Sequence, residues 1–404
     1  MKKIALIIIL LSSVSKGHAQ WVHHNPGTTD FLNDVDFVSE QIGFAEDWDN
    51  GMLWGTADGG ASWNMLLNNT PVYYMNFISA DTGFTASQGL YRTVDGGHFW
   101  DPVISDTDVF WWSRPFFLNQ SLGWTVQSSH RQGAVLDSII TYVTYDGGTN
   151  WNVVSAFPDS NLSMPVEGVF FFDSQLGFVA AGTRAYKTID GGMNWTLMLA
   201  DDNDEYTTCF FTSPDTGFIG TIYSSQILRT VNGGQSWQVV IIPVNTPVYD
   251  IRFITSETGY ACGGDGFSSG FIIKTVDRGQ VWTLDYGDNY TYNALSIPSK
   301  NFGYACGLGG SVIRNYMDDD IPDYDMRSAT GGYSYFSNGM LTIKNLAFSV
   351  REIFISNTLG MQVFRSEFSG GKNLSLDLRK LPQGVYFVEA KGNQNVWQGK
   401  VVKE

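Results

Sequence analysis

The stretch Thr56–Trp63 reads TADGGASW. The chain returns to it in TVDGGHFW ending on Trp100, TYDGGTNW on Trp151, TIDGGMNW on Trp195, TVNGGQSW on Trp237 and TVDRGQVW on Trp282. A Thr, an acid or amide, a glycine pair and a Trp at fixed offsets describe a tight turn between two strands. The Thr hydroxyl and the carboxylate can accept hydrogen bonds from N–H groups that the turn leaves unpaired. The glycines reach backbone angles closed to other residues, and the Trp anchors in the layer beneath. Arg278 takes the place of one first glycine, whereas the second (Gly60, Gly97, Gly148, Gly192, Gly234, Gly279) never changes. That second position is therefore the one expected at positive φ. Asn232 replaces an Asp, so the turn needs an acceptor there and not a charge.

Ahead of each such turn lies a second signature, a strand ending in an aromatic residue followed six residues later by Gly-aromatic. The pairs are Phe37 with Gly43-Phe44, Phe77 with Gly83-Phe84, Phe117 with Gly123-Trp124, Phe171 with Gly177-Phe178, Phe211 with Gly217-Phe218 and Phe253 with Gly259-Tyr260. A seventh, Ile297 with Gly303-Tyr304, follows. The unit is strand a, a short turn, strand b, a variable loop, strand c, the glycine turn, and strand d starting at the Trp. Four short strands repeating every 40–45 residues make the blade of a propeller. The seventh copy keeps strand c (Ser311–Asn315), but its turn has decayed to YMDDD and no Trp follows. The missing strand is expected at the other end. Trp21 opens WVHHNP 42 residues before Trp63, in step with the later intervals of 37, 51, 44, 42 and 45. Trp21–Asn25 then pairs with the last segment and closes an all-β, seven-bladed ring, which removes the open edges of the array.

These turns resemble the Asp-box, or BNR repeat, of sialidase-like and sortilin-like propellers, and the Gly-Phe and Asp-Gly-Gly-x-x-Trp rhythm is similar to that of photosystem II assembly-factor propellers. The resemblance implies that the box residues are structural: Asp58, Trp63, Asp95, Trp100, Asp146, Trp151, Asp190, Trp195, Asn232, Trp237, Asp277 and Trp282. It places function on the opposite face, among the d–a and b–c loops. Arg92, Arg229, Arg314, Lys187 and Lys274 recur just before the box and read as scaffold.

Of the 404 residues, 43% are hydrophobic, 15% aromatic and 44 glycine, which excludes disorder and suits a turn-rich β chain. The net charge of −16 is uneven: residues 20–330 carry 12 bases against 35 acids, residues 331–404 nine against five. The acidic body argues against nucleic acid and anionic membranes as partners. Residues 1–19 read as a secretory signal peptide, with Lys2 and Lys3, an apolar run and Gly17-His18-Ala19 before the cut. No later run is long enough for a transmembrane helix. Cys209, Cys262 and Cys306 read as buried small residues rather than a disulfide framework or metal site.

The propeller is expected over residues 20–317, followed by an acidic and glycine-rich linker at 318–332 and a small β-sandwich at 333–404. No cofactor is implied. The linker's Asp318, Asp320, Asp323 and Asp325 faintly resemble a calcium-binding thrombospondin type 3 repeat lacking its glycine. In the last segment ISNTLGMQVF, LPQGVYFVEA and the terminal GKVVK resemble the type A C-terminal sorting domain of the type IX secretion system of Bacteroidota. That resemblance implies an exported protein, secreted or held at the outer surface, with the secretion machinery as one partner.

No HExxH, GxSxG, P-loop or CxxC motif occurs. A sialidase needs an arginine triad and an Arg-Ile-Pro stretch, and the latter is missing. With no catalytic residue singled out, the reading is a binding propeller for an extracellular peptide, glycan or protein. A glycoside hydrolase of sialidase or xyloglucanase type is the alternative, and a structural or adhesion component the third. The binding candidates are Trp111, Trp112 and Arg114, with His130 and Arg131 in the blade-three insertion Gln127–Ser138, and the strand-entry tyrosines Tyr73, Tyr206, Tyr249 and Tyr292.

Overall fold

The computed structural model describes residues 21–403 apart from 48–49, 68–73, 87–88, 106–110, 130–137, 159–165, 317–332, 338–339, 345, 347–348, 358–360, 383 and 394–395. The leader at 1–19, Asp318, Asp320, Asp323 and Asp325 lie outside these residues.

Seven antiparallel sheets make the ring. Blade 1 is Leu32–Phe37, Gly43–Asp47, Leu53–Thr56 and Asn64–Leu67; blade 2 is Tyr74–Phe77, Gly83–Ala86, Gly89–Thr93 and Asp101–Ser105. In blade 3 strand a is split into Trp111–Trp112 and Phe116–Phe117, ahead of Gly123–Ser129, Ser138–Thr144 and Asn152–Pro158. Blade 4 is Val166–Phe171, Gly177–Ala181, Arg184–Thr188 and Thr196–Ala200; blade 5 is Tyr206–Phe211, Gly217–Thr221, Ile227–Thr230 and Gln238–Val240. Blade 6 is Val248–Phe253, Gly259–Gly264, Gly270–Thr275 and Thr283–Asp288. Blade 7 is Tyr292–Ser299, Phe302–Gly307 and Ser311–Tyr316, and its outer strand is Val22–His23 from the other end of the chain. Val22 pairs with Arg314 and His23 with Ile313, and the His24 N–H donates to the Val312 carbonyl at 2.6 Å. The ring closes as the Trp spacing requires.

One aromatic arrangement repeats at the junctions. The strand-b aromatic of one blade stacks on the strand-a aromatic of the next, with the next blade's box Trp edge-on. Phe44 lies over Phe77 at 3.5 Å between centroids, and Trp100 meets Phe77 at 5.8 Å and 79°. Phe178, Phe211 and Trp237 repeat it, as do Tyr304, Phe37 and Trp63 across the closing junction. The stack explains the Gly-aromatic signature. Phe77 pairs with Gly83, and a β-carbon there would lie 2.6 Å from the ring. Blade 7 has Ile297 in place of the Phe, and Trp21 takes the box Trp's place, 6.1 Å from Tyr260. Its indole N–H donates to Asp285 at 2.8 Å.

The box turns carry the expected hydrogen bonds. The Thr93 hydroxyl accepts the Asp95 and Gly97 N–H groups, and the Asp95 carboxylate accepts those of His98 and Phe99. Asn232 accepts the Ser236 N–H through its amide oxygen at 2.9 Å, doing the work of the aspartates. The second box glycine has positive φ as expected, 89° at Gly97, but the first shares it, 74° at Gly96. In blade 2 the second position is the more crowded: a β-carbon on Gly97 would sit 2.6 Å from Leu53 Cδ2, but one on Gly96 would meet nothing nearer than 3.3 Å. Blade 1 is the reverse, with a β-carbon on Gly59 2.8 Å from the Glu40 carbonyl and one on Gly60 clear to 3.5 Å. A side chain at the first position bears the cost of left-handed backbone, roughly 1–2 kcal/mol. Arg278 does this at φ 65°, with its guanidinium on Glu257 at 2.9 Å and its carbonyl accepting Arg229 Nε at 3.0 Å. Lys187 and Arg314 likewise reach a carbonyl in the next blade's box, at Gly233 and Gly59, each at 2.9 Å.

The second compact unit holds the chain after the ring. Tyr333–Ser337, Met340–Lys344 and Leu374–Asp377 form one sheet; Gln362–Glu367, Glu352–Asn357, Gly384–Lys391 and Val396–Lys403 form the other. Leu341, Ile343 and Leu376 of the first share a core with Ile353, Ile355 and Val388 of the second.

Trp21→Ala should lower the stability of the ring by about 3 kcal/mol or more, a cost like that of losing a core Trp although the residue opens the first strand. A thermal melt beside Trp63→Ala checks it; an unchanged melting temperature would mean that closure does not depend on the indole.

Candidate functional site

Strand a of every blade faces the ring axis, and its residues line a cavity of about 620 Å³. In most blades strand a carries a register shift near its start, for example between Leu32 and Asp34 and between Val248 and Asp250. The shift turns the bulged residue toward the channel mouth. Tyr249 is the bulged residue of blade 6 and lines the cavity.

Two layers lie below. In the first, Asp34, Arg114 and Asp250 occupy the same place in blades 1, 3 and 6. Asp34 accepts the N–H of Val35 at 2.8 Å and, across the junction, that of Met75 at 2.9 Å; the Arg114 guanidinium completes its shell. Asp250 repeats the pattern, accepting Ile251 at 2.8 Å, Leu295 at 3.0 Å and Arg252 Nε at 3.2 Å. In each carboxylate Oδ1 accepts the following N–H of its own strand and Oδ2 holds the next blade's inner strand.

The second layer is divided. Phe116, Phe170 and Phe210 of blades 3, 4 and 5 form an arc, with centroids 5.6 and 5.1 Å apart and planes tilted by 56° and 50°. Arg252, Ser296, Asp36 and Asn76 of blades 6, 7, 1 and 2 face the cavity from the other side. Asp36 accepts the Phe77 N–H at 2.6 Å, and the Ser296 hydroxyl accepts that of Phe37 at 2.9 Å.

Burial dominates the electrostatics. It pushes the Asp34 carboxyl up to about 7 although Arg114 pulls the other way. It also raises Asp36, against the Phe77 N–H and the two arginines, and lifts Glu46 well above the carboxylate range, helped by Asp34. Burial works against the Arg114 charge, but Asp34, Asp250 and Asp36 outweigh it and raise its pKa. The Cys209 thiol at the cavity wall is pushed up to about 12 by burial, so it is no nucleophile at neutral pH. All three cysteines are free and buried.

The sequence-derived candidates separate. Arg114 lines the cavity but is spent on Asp34. Tyr249 lines it too, whereas Tyr206 and Tyr292 are buried within the sheets at 1% and 0% exposure and present no surface to a partner. Trp111 and Trp112 pair through their backbones with Ser128 and Gln127, immediately before Arg114. The blade-three insertion begins as a continuation of strand b to Ser129 rather than as loop. Tyr73, His130 and Arg131 lie outside the described residues. Sequence reasoning missed Asp34, Asp36, Asp250 and Arg252. Among the described residues no group of acids, histidines and cysteines is arranged to hold a metal ion.

Residues 337–404 match the secretion system C-terminal sorting domain. No curated protein matches the chain. Among solved structures, "YCF48 bound to D1 peptide" is similar at 17% identity and TM-score 0.57, over 74% of this chain and 97% of that one. YCF48 from Cyanidioschyzon merolae is similar at 16% and 0.58, over 73% and 98%. The WD40 β-propeller domain of Doa1 follows at 11% and 0.53, over 73% and 96%. These likenesses are of fold. The sorting domain makes this an exported protein handled by type IX secretion machinery, secreted or attached at the surface. No described helix is long and apolar enough to cross a membrane.

These pKa shifts make stability depend on pH. The Asn150 N–H is the main support that holds Asp146 down to about 2, and the Phe99 N–H and Asn194 side chain lower Asp95 and Asp190. Their stabilisation is present above the unfolded carboxylate value and is lost as pH falls through the folded one. Asp34 acts oppositely: its folded value of about 7 lies above the ordinary 3.8, so stability falls as pH rises between them. Melting temperature against pH should therefore peak at about pH 4–5 and decline toward neutrality, and Asp34→Asn should flatten the decline. A maximum at pH 7 or above would contradict the assignment.

Proposed function

We propose that the ring is an extracellular binding module that takes its ligand from the loop face into the central channel. The observation that carries this is the divided wall: Phe116 and Phe210, with Phe170 packed between them, give one apolar stretch, and Arg252, Asp36, Asn76 and Ser296 add a guanidinium, a carboxyl, an amide and a hydroxyl. A concave site with a large apolar surface and a few placed polar groups is the common form of an organic-ligand pocket, and 620 Å³ lies within its usual size. Arg114 and Tyr249 lie inside the channel in this reading, and Trp111, Trp112, His130, Arg131 and Tyr73 remain candidates for contact with the ligand. A similar propeller solved with a peptide supports a peptide-like ligand.

Hydrolysis is the less favoured reading. A glycosidase pair needs one carboxyl to give a proton and another to attack or to activate water. Asp34 and Asp250 have both oxygens committed to backbone N–H groups and arginines, which suits scaffolding of the channel wall.

Screening the purified ring against peptide and glycan arrays, then titrating hits, tests the reading. Phe210→Ala and Arg252→Ala should each weaken binding by roughly 1–3 kcal/mol while Trp111→Ala/Trp112→Ala reports the rim. Hits that bind Phe210→Ala and Arg252→Ala as tightly as the parent would place the site elsewhere. Chains ending before residue 337 should accumulate inside the cell with the ring folded; export of the truncated chain would show that the matched segment is not its address.

A further inference from the structure

We propose that the channel binds a small apolar zwitterion: a free α-amino acid or a dipeptide with an apolar or aromatic side chain. Its ammonium lies against Asp36, its carboxylate against the free edge of Arg252 and its side chain against the phenylalanine arc. This rests on the reading of the channel as the binding site and names the ligand class.

The argument starts from which charges are already spent. Asp34 is matched by Arg114 and Asp250 by Arg252 Nε. Among the described residues Asp36 accepts one hydrogen bond, at Oδ2 from the Phe77 N–H, and forms no ion pair. Its Oδ1 is the acceptor left over. The Arg252 side chain is 29% exposed and among the described residues pairs only with Asp250, through Nε, which leaves the two terminal nitrogens as donors at the cavity. Ser296, in the intervening blade, separates the two charges, and its hydroxyl is held by the Phe37 N–H. The polar half thus offers one acceptor and one forked donor on either side of Ser296.

Burying a charged ligand is favourable only when each charge meets a partner. A lone carboxylate would gain Arg252 but face Asp36, Asp34 and Asp250. A lone amine would gain Asp36 and leave the Arg252 edge unmatched. A zwitterion satisfies both. Burial raises the Asp36 carboxyl although Arg114 and Arg252 pull the other way, and a ligand ammonium in direct contact would add to their support of the ionised form. The rings opposite are tilted by 50° and 56° to one another, forming a pocket for a side chain rather than a flat platform for a sugar. The cavity has room for the ligand and several waters.

The test is calorimetric titration of the full chain with L-phenylalanine, phenethylamine, 3-phenylpropionate and a Phe-containing hexapeptide with both ends blocked. L-phenylalanine should bind about tenfold or more tighter than either half-ligand, the worth of one charge-assisted bond. Asp36→Asn should erase its advantage over 3-phenylpropionate, and Arg252→Ala its advantage over phenethylamine. Because each comparison is made within one variant, a general loss of fold cannot imitate the crossed pattern. Where a variant fails to fold, the parent's affinities for the three ligands decide alone. Half-ligands binding as tightly as L-phenylalanine would overturn the proposal. Binding of the blocked hexapeptide alone, lost in Phe210→Ala, would overturn it too and leave the channel reading standing; no binding by any of the four would remove the zwitterion.

Discussion

The ring depends on the aromatic clasp between blades. Two rings stacked face to face and a third set edge-on bury much of each junction's apolar area, and such pairs add about 0.5–1.5 kcal/mol each beyond burial. The rest follows from housing it. Strand-b glycines exist because a ring lies over them, as Phe77 does over Gly83. The box turn brings the Trp back to the ring of its own strand a. The bases before the box reach across to the neighbouring turn, as Lys187 does to Gly233. Even where blade 7 lacks the Phe, Trp21 occupies the box Trp's place.

Because the clasp and the box hold the blades, the inner strand is released from much of the packing work. At its last position it must supply an aromatic or Ile; one residue earlier it can supply almost anything. That freedom is used unevenly, with Phe116, Phe170 and Phe210 on one side of the axis and Asp36, Ser296 and Arg252 on the other. The cost falls on Asp34 and Asp250, which are buried yet kept in place because each also pairs with the N–H of the next inner strand. Scaffold and site thus meet in the same two residues.

Architecture was legible because the box and Gly-aromatic signatures report sterics that only a few residue types satisfy. Closure could be counted from one Trp interval. The positive φ of the second glycine could be read from its constancy, but not that the first glycine shares it, nor that Leu53, distant in the chain, crowds Gly97. The channel was less legible. Asp36 and Arg252 sit inside strands whose repeating residues draw the eye, and strand-entry tyrosines look alike until packing separates the buried Tyr206 from the half-buried Tyr249. The signal that existed was variation itself. Aligning the seven inner strands shows two positions where charge, amide and aromatic alternate amid otherwise regular columns, and Arg114 and Arg252 are the arginines there.

The strand pairing of Val22 with Arg314 joins residues that are almost the whole ring apart in sequence. A chain crossing a membrane from its first residue onward therefore carries an unpaired Val22–His23 until Ser311–Tyr316 has followed it. Every shorter length is an open arc with two bare strand edges, prone to pair with a neighbour instead. The seam makes completeness a structural property: the molecule becomes a closed body only when its last blade arrives. Long-range closure of this kind is also slow to find, so the interval between emergence and closure is the stage at which the ring is most exposed to misassembly.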